Sequence, residues 1–462
     1  MNIKLCYFCK KFCVFSKRNF SVQSMVKYQR VVLGIETSCD ETGAAVVDEN
    51  RKIHGEALFS QKEIHLRTGG IIPSVARQLH KEKIDHVVTK AVLSSGISLH
   101  DISAIATTVK PGLALCLEVG LSYSLNLVKH FKKPLIPIHH MEAHALTIRL
   151  LHQLEFPFLV LLISGGHCIL SVVNGVTDFL LLGQSLDESP GEALDKVARR
   201  LSLSKQAECS SMSGGESIEY LAQFGDKKFT KQNPPMAQYQ DCNFSFSGLR
   251  SHYERLIEMQ ENKEGIQKGE MLSCAADIAS SFQHSVAHHL AKRTQRAILF
   301  CKKEGLLPPL KTSLAVPGLH TRYGLKVVSG GVGSNQYIRQ VLQNLTDDMN
   351  MSLLCPPPQL CTDNGVMIAW NGVERLCAGA GVLKNAHNIR YEPRLPLDRS
   401  DLSYGRSYGH SVFIKKLRLR NRRHAPPPSL HTANHFMAPC SQLITSWLSA
   451  AALMRRAKPS LM

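Results

Sequence analysis

Residues 138–146 read IHHMEAHAL. On a helix, His140 and His144 stand one turn apart on one face, the spacing at which two imidazoles can ligate one ion. The run resembles the HExxH of zinc peptidases only loosely. Glu142 follows the first histidine by two positions rather than one, so it cannot serve as that motif's general base. Two ordinary surface histidines would give the same pattern, and a third donor must come from elsewhere. Asp363, in Cys361-Thr362-Asp363-Asn364, is the candidate: it ends an apolar segment just before a helical run, where a carboxylate suits the helix N-terminus.

A second group of chemically useful residues lies in glycine-rich turns. Thr37, Ser38, Asp40, Thr42 and Gly43 form one polar turn, Ser164-Gly165-Gly166-His167 a second, and VVSGGVGSN over 327–335 a third. Small residues and hydroxyls of this kind let backbone N–H groups approach a phosphate. Each turn alone is ordinary turn chemistry; three of them, each between an apolar strand and the next element, point to nucleotide binding. None is a Walker A loop. Asp187, Glu188, Glu192 and Asp195 crowd into 186–196 beside Lys196. A solvated helix start accounts for the first two, whereas Asp195 and Lys196 on an otherwise apolar face do not fit that account.

The elements that must position these residues repeat. Residues 31–48 and 157–175 each read as strand, polar turn, strand, and helical patterns follow at 77–95 and 116–130, then at 192–203 and 275–305. Strand–turn–strand units with intervening helices, duplicated over two halves, argue for an α/β protein of two similar lobes. The ligand of such a fold is expected between the lobes, where glycine turns and helix N-termini converge.

The chain has 462 residues with 55 Lys+Arg, 37 Asp+Glu and a formal charge of +18. That length exceeds one ordinary domain, and 44% hydrophobic residues exclude a disordered chain. The longest apolar run, Phe156 to Ile163, is far shorter than the ~18–20 residues of a membrane span, so none is expected. The charge suggests nucleic-acid binding but is unevenly placed. Residues 1–30 hold seven basic and no acidic residues, residues 396–462 hold eleven basic and two acidic, and residues 31–395 carry 37 basic against 35 acidic. The acid-free start has the composition of a mitochondrial transit peptide, with Arg18-Asn19-Phe20-Ser21 resembling a matrix-protease site. The 14 cysteines are scattered, and Cys6-x-x-Cys9 with Cys13 has no second pair to complete a zinc site. The expected organisation is a transit peptide over 1–30, an N-terminal lobe over 31–150, a C-terminal lobe over 151–395, and a basic, disordered tail over 396–462.

Taken together, LGIETSCDETGAAVVD, HLRTGGIIPSVARQLH, IHHMEAHA, LLISGGH, DESPGEALDKVA, FSFSGLRSHY, DIASSFQ, VVSGGVGSNQYIR and CTDNGVMIAW are similar to the tRNA N6-adenosine threonylcarbamoyltransferase family, in its mitochondrial branch; they follow in order over about residues 31–395. The resemblance implies a duplicated, two-lobe actin-like ATPase (sugar-kinase-type) fold. It implies transfer of a threonylcarbamoyl group from threonylcarbamoyl-AMP, made by a separate enzyme, to N6 of adenosine 37 in mitochondrial tRNAs reading ANN codons. It further implies one divalent metal ion per subunit (Fe, Zn or Mg) on His140, His144 and Asp363. The donor would be bound by Leu162, Ile163, Ser164, Gly165, Gly166, Asp195, Gly215, Glu219 and Asn335, with Asp40 facing the reacting group, and the protein would act as a homodimer in the mitochondrial matrix.

This sequence departs from the family pattern at Lys110, where a Gly is usual before Pro-Gly-Leu, and at Met212-Ser213-Gly214-Gly215-Glu216, which replaces Tyr-Pro-Gly-Gly-Pro. It also carries an extra stretch over about 312–324, and after about 396 the similarity fades. Two other readings compete. An ATP-dependent small-molecule kinase of the same fold accounts for the glycine turns but not for a His-x3-His site, because such kinases hold Mg²⁺ on carboxylates and water. A metallopeptidase-like protein accounts for HMEAH but not for its misplaced Glu.

Overall fold

The computed structural model describes residues 30–307, 326–394 and Leu397, apart from positions 69, 232, 387 and 388. The proposed transit peptide (Arg30 aside), the 312–324 stretch and the tail beyond Leu397 lie outside the described residues.

Val31–Glu36 (β1) is wholly buried, as its nearly unbroken apolar sequence requires. It turns back through Glu41–Asp48 (β2), antiparallel, with Gly34 opposite Ala45. Ile53–Ser60 (β3) forms the sheet edge, and its burial is mixed because one side lacks a neighbour. Ala104–Lys110 (β4) and Leu135–His139 (β5) join on the other side of β1, both parallel, so the strand order is β3-β2-β1-β4-β5.

The second sheet repeats this plan. Phe158–Ile163 (β6), Cys168–Val173 (β7) and Phe179–Gln184 (β8) form the antiparallel part. Lys326–Ser329 (β9) and Leu353–Leu354 (β10) extend it in parallel, giving β8-β7-β6-β9-β10. Two sheets of identical order and sense, led by strands starting at 31 and 158, meet the expectation of a duplicated actin-like fold.

The first lobe's helices are Lys62–Arg67 (α1), Pro73–Ser95 (α2) and Ala114–Phe131 (α3). Pro73 opens α2, where its missing N–H costs nothing, and Gly96 closes it at φ +66°. His140–Leu151 (α4) follows β5 directly and is buried almost all round. Ala143 and Leu150 pack with the first sheet, whereas Met141, Ala145, Leu146 and Ile148 pack with the second. A helix apolar on every side must be covered on every side, and here the two lobes do so. The second lobe adds Pro190–Arg200 (α5), Gly214–Ala222 (α6), Ser247–Glu264 (α7), Ala275–Lys303 (α8), Gln336–Asp348 (α9) and Pro358–Cys361 (α10).

Gly365–Ala378 (α11) returns to the first sheet. Its backbone lies directly on β1 and β2: a Cβ on Gly34 would fall 2.2 Å from the Ala369 nitrogen, and one on Gly365 would fall 2.3 Å from the Ala44 carbonyl carbon. Leu383 then bridges to Leu135 of β5, and Ile389 and Tyr391 pack into the first lobe's core. The first lobe is therefore completed by residues that a single cut after 150 assigns to the second. The reason is that β1 and β2 expose a face of small residues that only a helix with its own small residues can approach. No helix among the described residues is long and apolar enough to cross a membrane.

Candidate active site

The carboxyl ends of β1, β4 and β5 and the start of α4 meet at one place. His140 and His144 lie one turn apart with ring centroids 4.6 Å apart and planes near perpendicular. Asp363, two residues before α11, comes to both: its Oδ1 is 3.4 Å from His140 Nε2 and 3.0 Å from His144 Nε2. The three ligand atoms lie within 4.8 Å of one another. Both imidazoles thus direct the same nitrogen toward one carboxylate, a donor set that fits a divalent cation. Burial alone would lower the His140 pKa, but the charges of Asp363 and Glu36 raise it well above the usual histidine value. Burial likewise works against the Asp363 carboxylate, and the two histidines overcome it and hold its pKa well below the usual range.

Glu142 stands between the two histidines in sequence but points elsewhere. It is buried and takes a hydrogen bond from Arg375 of α11. Burial raises its pKa against the pull of Arg375. A carboxylate held by an arginine is not free to act as a base, so the peptidase reading finds no base here. A second pair of opposite polarity, Arg149 to Glu374 at 2.7 Å, ties the other end of α4 to α11.

The turn after β1 covers this site. His80, from α2, receives a hydrogen bond from Thr42 Oγ1 at 2.8 Å and donates Nε2–H to the Cys39 carbonyl at 2.9 Å. The Gln61 N–H donates to the Asp40 carbonyl at 3.0 Å. These bonds fix the backbone that carries Asp40, which is half-buried. Burial, and then the neighbouring Asp40 charge, push the Glu41 carboxyl up to about 10. At neutral pH Glu41 is therefore protonated beside Asp40.

The second lobe contributes the glycine turns. Ser164 Oγ accepts from the N–H of Gly166 at 3.3 Å and of His167 at 3.1 Å, and both glycines are exposed. His167 is pushed down to about 4 by burial and by His140 and His144, so this turn lies beside the triad. Leu162 and Ile163 are wholly buried in the sheet and carry the exposed turn that follows them. Gly330, at φ +95°, packs the third turn onto the Ile163 carbonyl, 2.4 Å from where a Cβ would stand.

Asp195, on α5, accepts from the Gly215 N–H at 2.9 Å, and burial raises its pKa despite that bond. In Met212-Ser213-Gly214-Gly215-Glu216, which departs from the family pattern, Ser213 and Glu216 form a capping box that starts α6. Glu219 accepts from the Gln336 N–H at 2.6 Å. Asn335 caps α9 through Ile338 N–H and donates to Gln283 at 2.9 Å, so its side chain is engaged within the fold. A cavity of about 400 Å³ beside these residues is lined by Lys62, Met212, Glu216, Glu219 and Tyr220 among others. Lys62, from the first lobe, spans to Glu216 at 2.7 Å.

The structure therefore brings His140, His144 and Asp363 together, with Ser164–His167 beside them, and joins Asp195 to Gly215 by a hydrogen bond while Glu219 lines the cavity. Glu36, Glu41 and His80 join the site from outside the candidate residues, and His167 enters only as the last residue of its turn. A signal for Glu36 existed: it is the charged end of an otherwise apolar strand.

The family model for tRNA N6-adenosine threonylcarbamoyltransferase (TsaD) matches residues 52–370. The mitochondrial tRNA N6-adenosine threonylcarbamoyltransferase of Xenopus tropicalis is 62% identical over 379 residues, covering 82% of this chain and 91% of its own length. The human mitochondrial protein of that name is 59% identical over 368 residues, 80% of this chain and 86% of its own. The tRNA N6-adenosine threonylcarbamoyltransferase of Paramagnetospirillum magneticum is 38% identical, over 80% of this chain and 97% of its own. With its family model and its relatives in agreement over most of its length, the chain belongs to the tRNA N6-adenosine threonylcarbamoyltransferase family.

Proposed function

We propose that this protein transfers the threonylcarbamoyl group from threonylcarbamoyl-AMP to N6 of adenosine 37 in mitochondrial tRNAs that read ANN codons, forming N6-threonylcarbamoyladenosine. The observation that carries the reading is the convergence of His140, His144 and Asp363 on one point, flanked by Ser164–His167 of the other lobe. In this reading His140, His144 and Asp363 hold one divalent ion, and two imidazoles with one carboxylate suit iron or zinc better than magnesium. When bound, that ion supplies positive charge for donor oxygens that become more negative during acyl transfer.

The protein's own groups do the rest. The exposed Gly165–Gly166 turn and the starts of α5, α6 and α9 receive the donor's phosphate and ribose. Asp195, Gly215, Glu219 and Asn335 shape that cleft. Asp40, held by the bonded turn around it, orients the N6 amine or takes its proton. The amine forms the new C–N bond at the carbamoyl carbon, and the C–O bond to AMP breaks with its electron pair leaving on AMP.

The donor is supplied by a separate enzyme, the protein acts as a homodimer, and it works in the mitochondrial matrix. The names of its vertebrate relatives support that location, as does the acid-free, basic start of the chain. The test is to incubate the purified, metal-loaded full chain with threonylcarbamoyl-AMP and an unmodified ANN-reading tRNA. Modified adenosine is expected, and its absence overturns the proposal. In His140→Ala, metal content and transfer should fall together, by about 10²-fold or more in rate. Full activity without metal would remove the ion from the mechanism.

A further inference from the structure

The buried carboxylate of Glu36 has no role in the functions described so far. It ends β1 at zero exposure, and one of its oxygens lies beside the metal-ligating histidine. Its Oε1 accepts from the Ser38 N–H at 2.5 Å. Its Oε2 accepts from Thr108 Oγ1, on the adjacent β4, at 2.5 Å. The same Oε2 lies 3.4 Å from His140 Nδ1, and Ser38 Oγ lies 3.2 Å from that nitrogen. The other ring nitrogen, Nε2, faces Asp363.

We infer that Glu36 is the positioning residue of the metal centre, holding the His140 ring with Nδ1 toward its carboxylate and Nε2 toward Asp363. The inference rests on the metal reading of His140, His144 and Asp363. With Nδ1 engaged by the carboxylate and by Ser38 Oγ, Nε2 is the ring nitrogen left to face Asp363 and an ion. Ligating histidines gain orientation and basicity from such a carboxylate behind them. Thr108 and Ser38 hold the carboxylate itself, so its direction is set by the β1–β4 pairing rather than by solvent.

His144 differs. Its Nδ1 is buried with no hydrogen-bond partner among the described residues. The two imidazoles are therefore unequal: His140 is the anchored ligand and His144 follows the ion. Removing Glu36 should weaken the site as a whole, because its one supported imidazole loses its support.

The experiment measures binding of Zn²⁺ alone, by competition with a chromophoric chelator, to the full chain in wild-type, Glu36→Gln and Thr108→Val forms. Thermal melts of the metal-free proteins run in parallel. Glu36→Gln keeps the shape and is expected to bind zinc about 10–100-fold more weakly. Thr108→Val removes one bond to the carboxylate but leaves it facing His140, and should stay near wild type in zinc affinity. Nitrogen-15 spectra of histidine-labelled, zinc-loaded protein should show His140 ligating through Nε2 in wild type and a shifted His140 signal in Glu36→Gln.

Unchanged zinc affinity in Glu36→Gln overturns the inference. Equal zinc loss in both variants, tracking equal loss of melting temperature, also overturns it, because Glu36 would then only hold the turn together. A wild-type chain that binds no zinc or iron fails at the metal site itself and takes the inference with it; that failure is told apart because His140→Ala would then match wild type.

Discussion

Glu41 follows Asp40 in sequence, and burial together with the neighbouring Asp40 charge pushes its carboxyl up to about 10. Asp40→Asn should lower transfer about 10²–10⁴-fold with metal content unchanged; loss of metal in that variant would make Asp40 a ligand instead. Glu41 has a pH signature of its own. Its native pKa lies above the usual carboxylate value of about 4.5, so between those limits the native state holds a proton the unfolded chain has lost, and stability falls as pH rises. Gln cannot ionise. Glu41→Gln should therefore melt higher than wild type at pH 8.5 and close to it at pH 4.5, and parallel melting temperatures across that range would refute the assignment.

At the scale of elements, the metal site depends on two helices from distant parts of the chain. α4 brings His140 and His144, and α11 is preceded by Asp363. Their relative position is set by the close approach of α11 to β1 and β2 and by the oppositely directed ion pairs Glu142–Arg375 and Arg149–Glu374. Gly34→Ala places a Cβ 2.2 Å from the Ala369 nitrogen, where no rotamer change gives relief. It should cost about 1–3 kcal/mol or more and lower zinc affinity at the same time, because pushing α11 outward carries Asp363 away. Calorimetry with a zinc titration checks both; stability lost with affinity intact would show that Asp363 is held independently of α11.

At the scale of the whole molecule, the two sheets share one topology but divide the work. The first lobe supplies all three candidate ligands, if α11 is counted with the sheet it covers, and the second supplies the glycine turns and the capped helix starts beside them. The body between 31 and 395 is close to neutral, and the excess positive charge lies in the segments before and after it. Deleting 396–462, with eleven basic and two acidic residues, should leave the transfer chemistry intact and weaken tRNA affinity. Filter binding at several salt concentrations should show a shallower salt dependence for the truncated protein, and an unchanged slope would exclude the tail from tRNA contact.

What the sequence determined by itself is what depends on neighbours a few residues apart. The i, i+4 pairing of His140 with His144, the glycine turns after apolar strands, the displaced Glu142 and the repeat of strand–turn–strand are local patterns, and the structure keeps each of them. The edge strands β3 and β8, whose mixed burial blurs the alternation, did not show in that reading. Only the tertiary structure decided that α11 lies on the first sheet, that Arg375 neutralises Glu142, that Lys62 reaches Glu216 across the lobes, and that Glu36 stands behind His140. These pairings join residues tens to hundreds of positions apart. Which partner a buried charge finds there is set by how two backbones can approach, as the glycines of β1 and α11 allow, and not by the spacing of residues along either one.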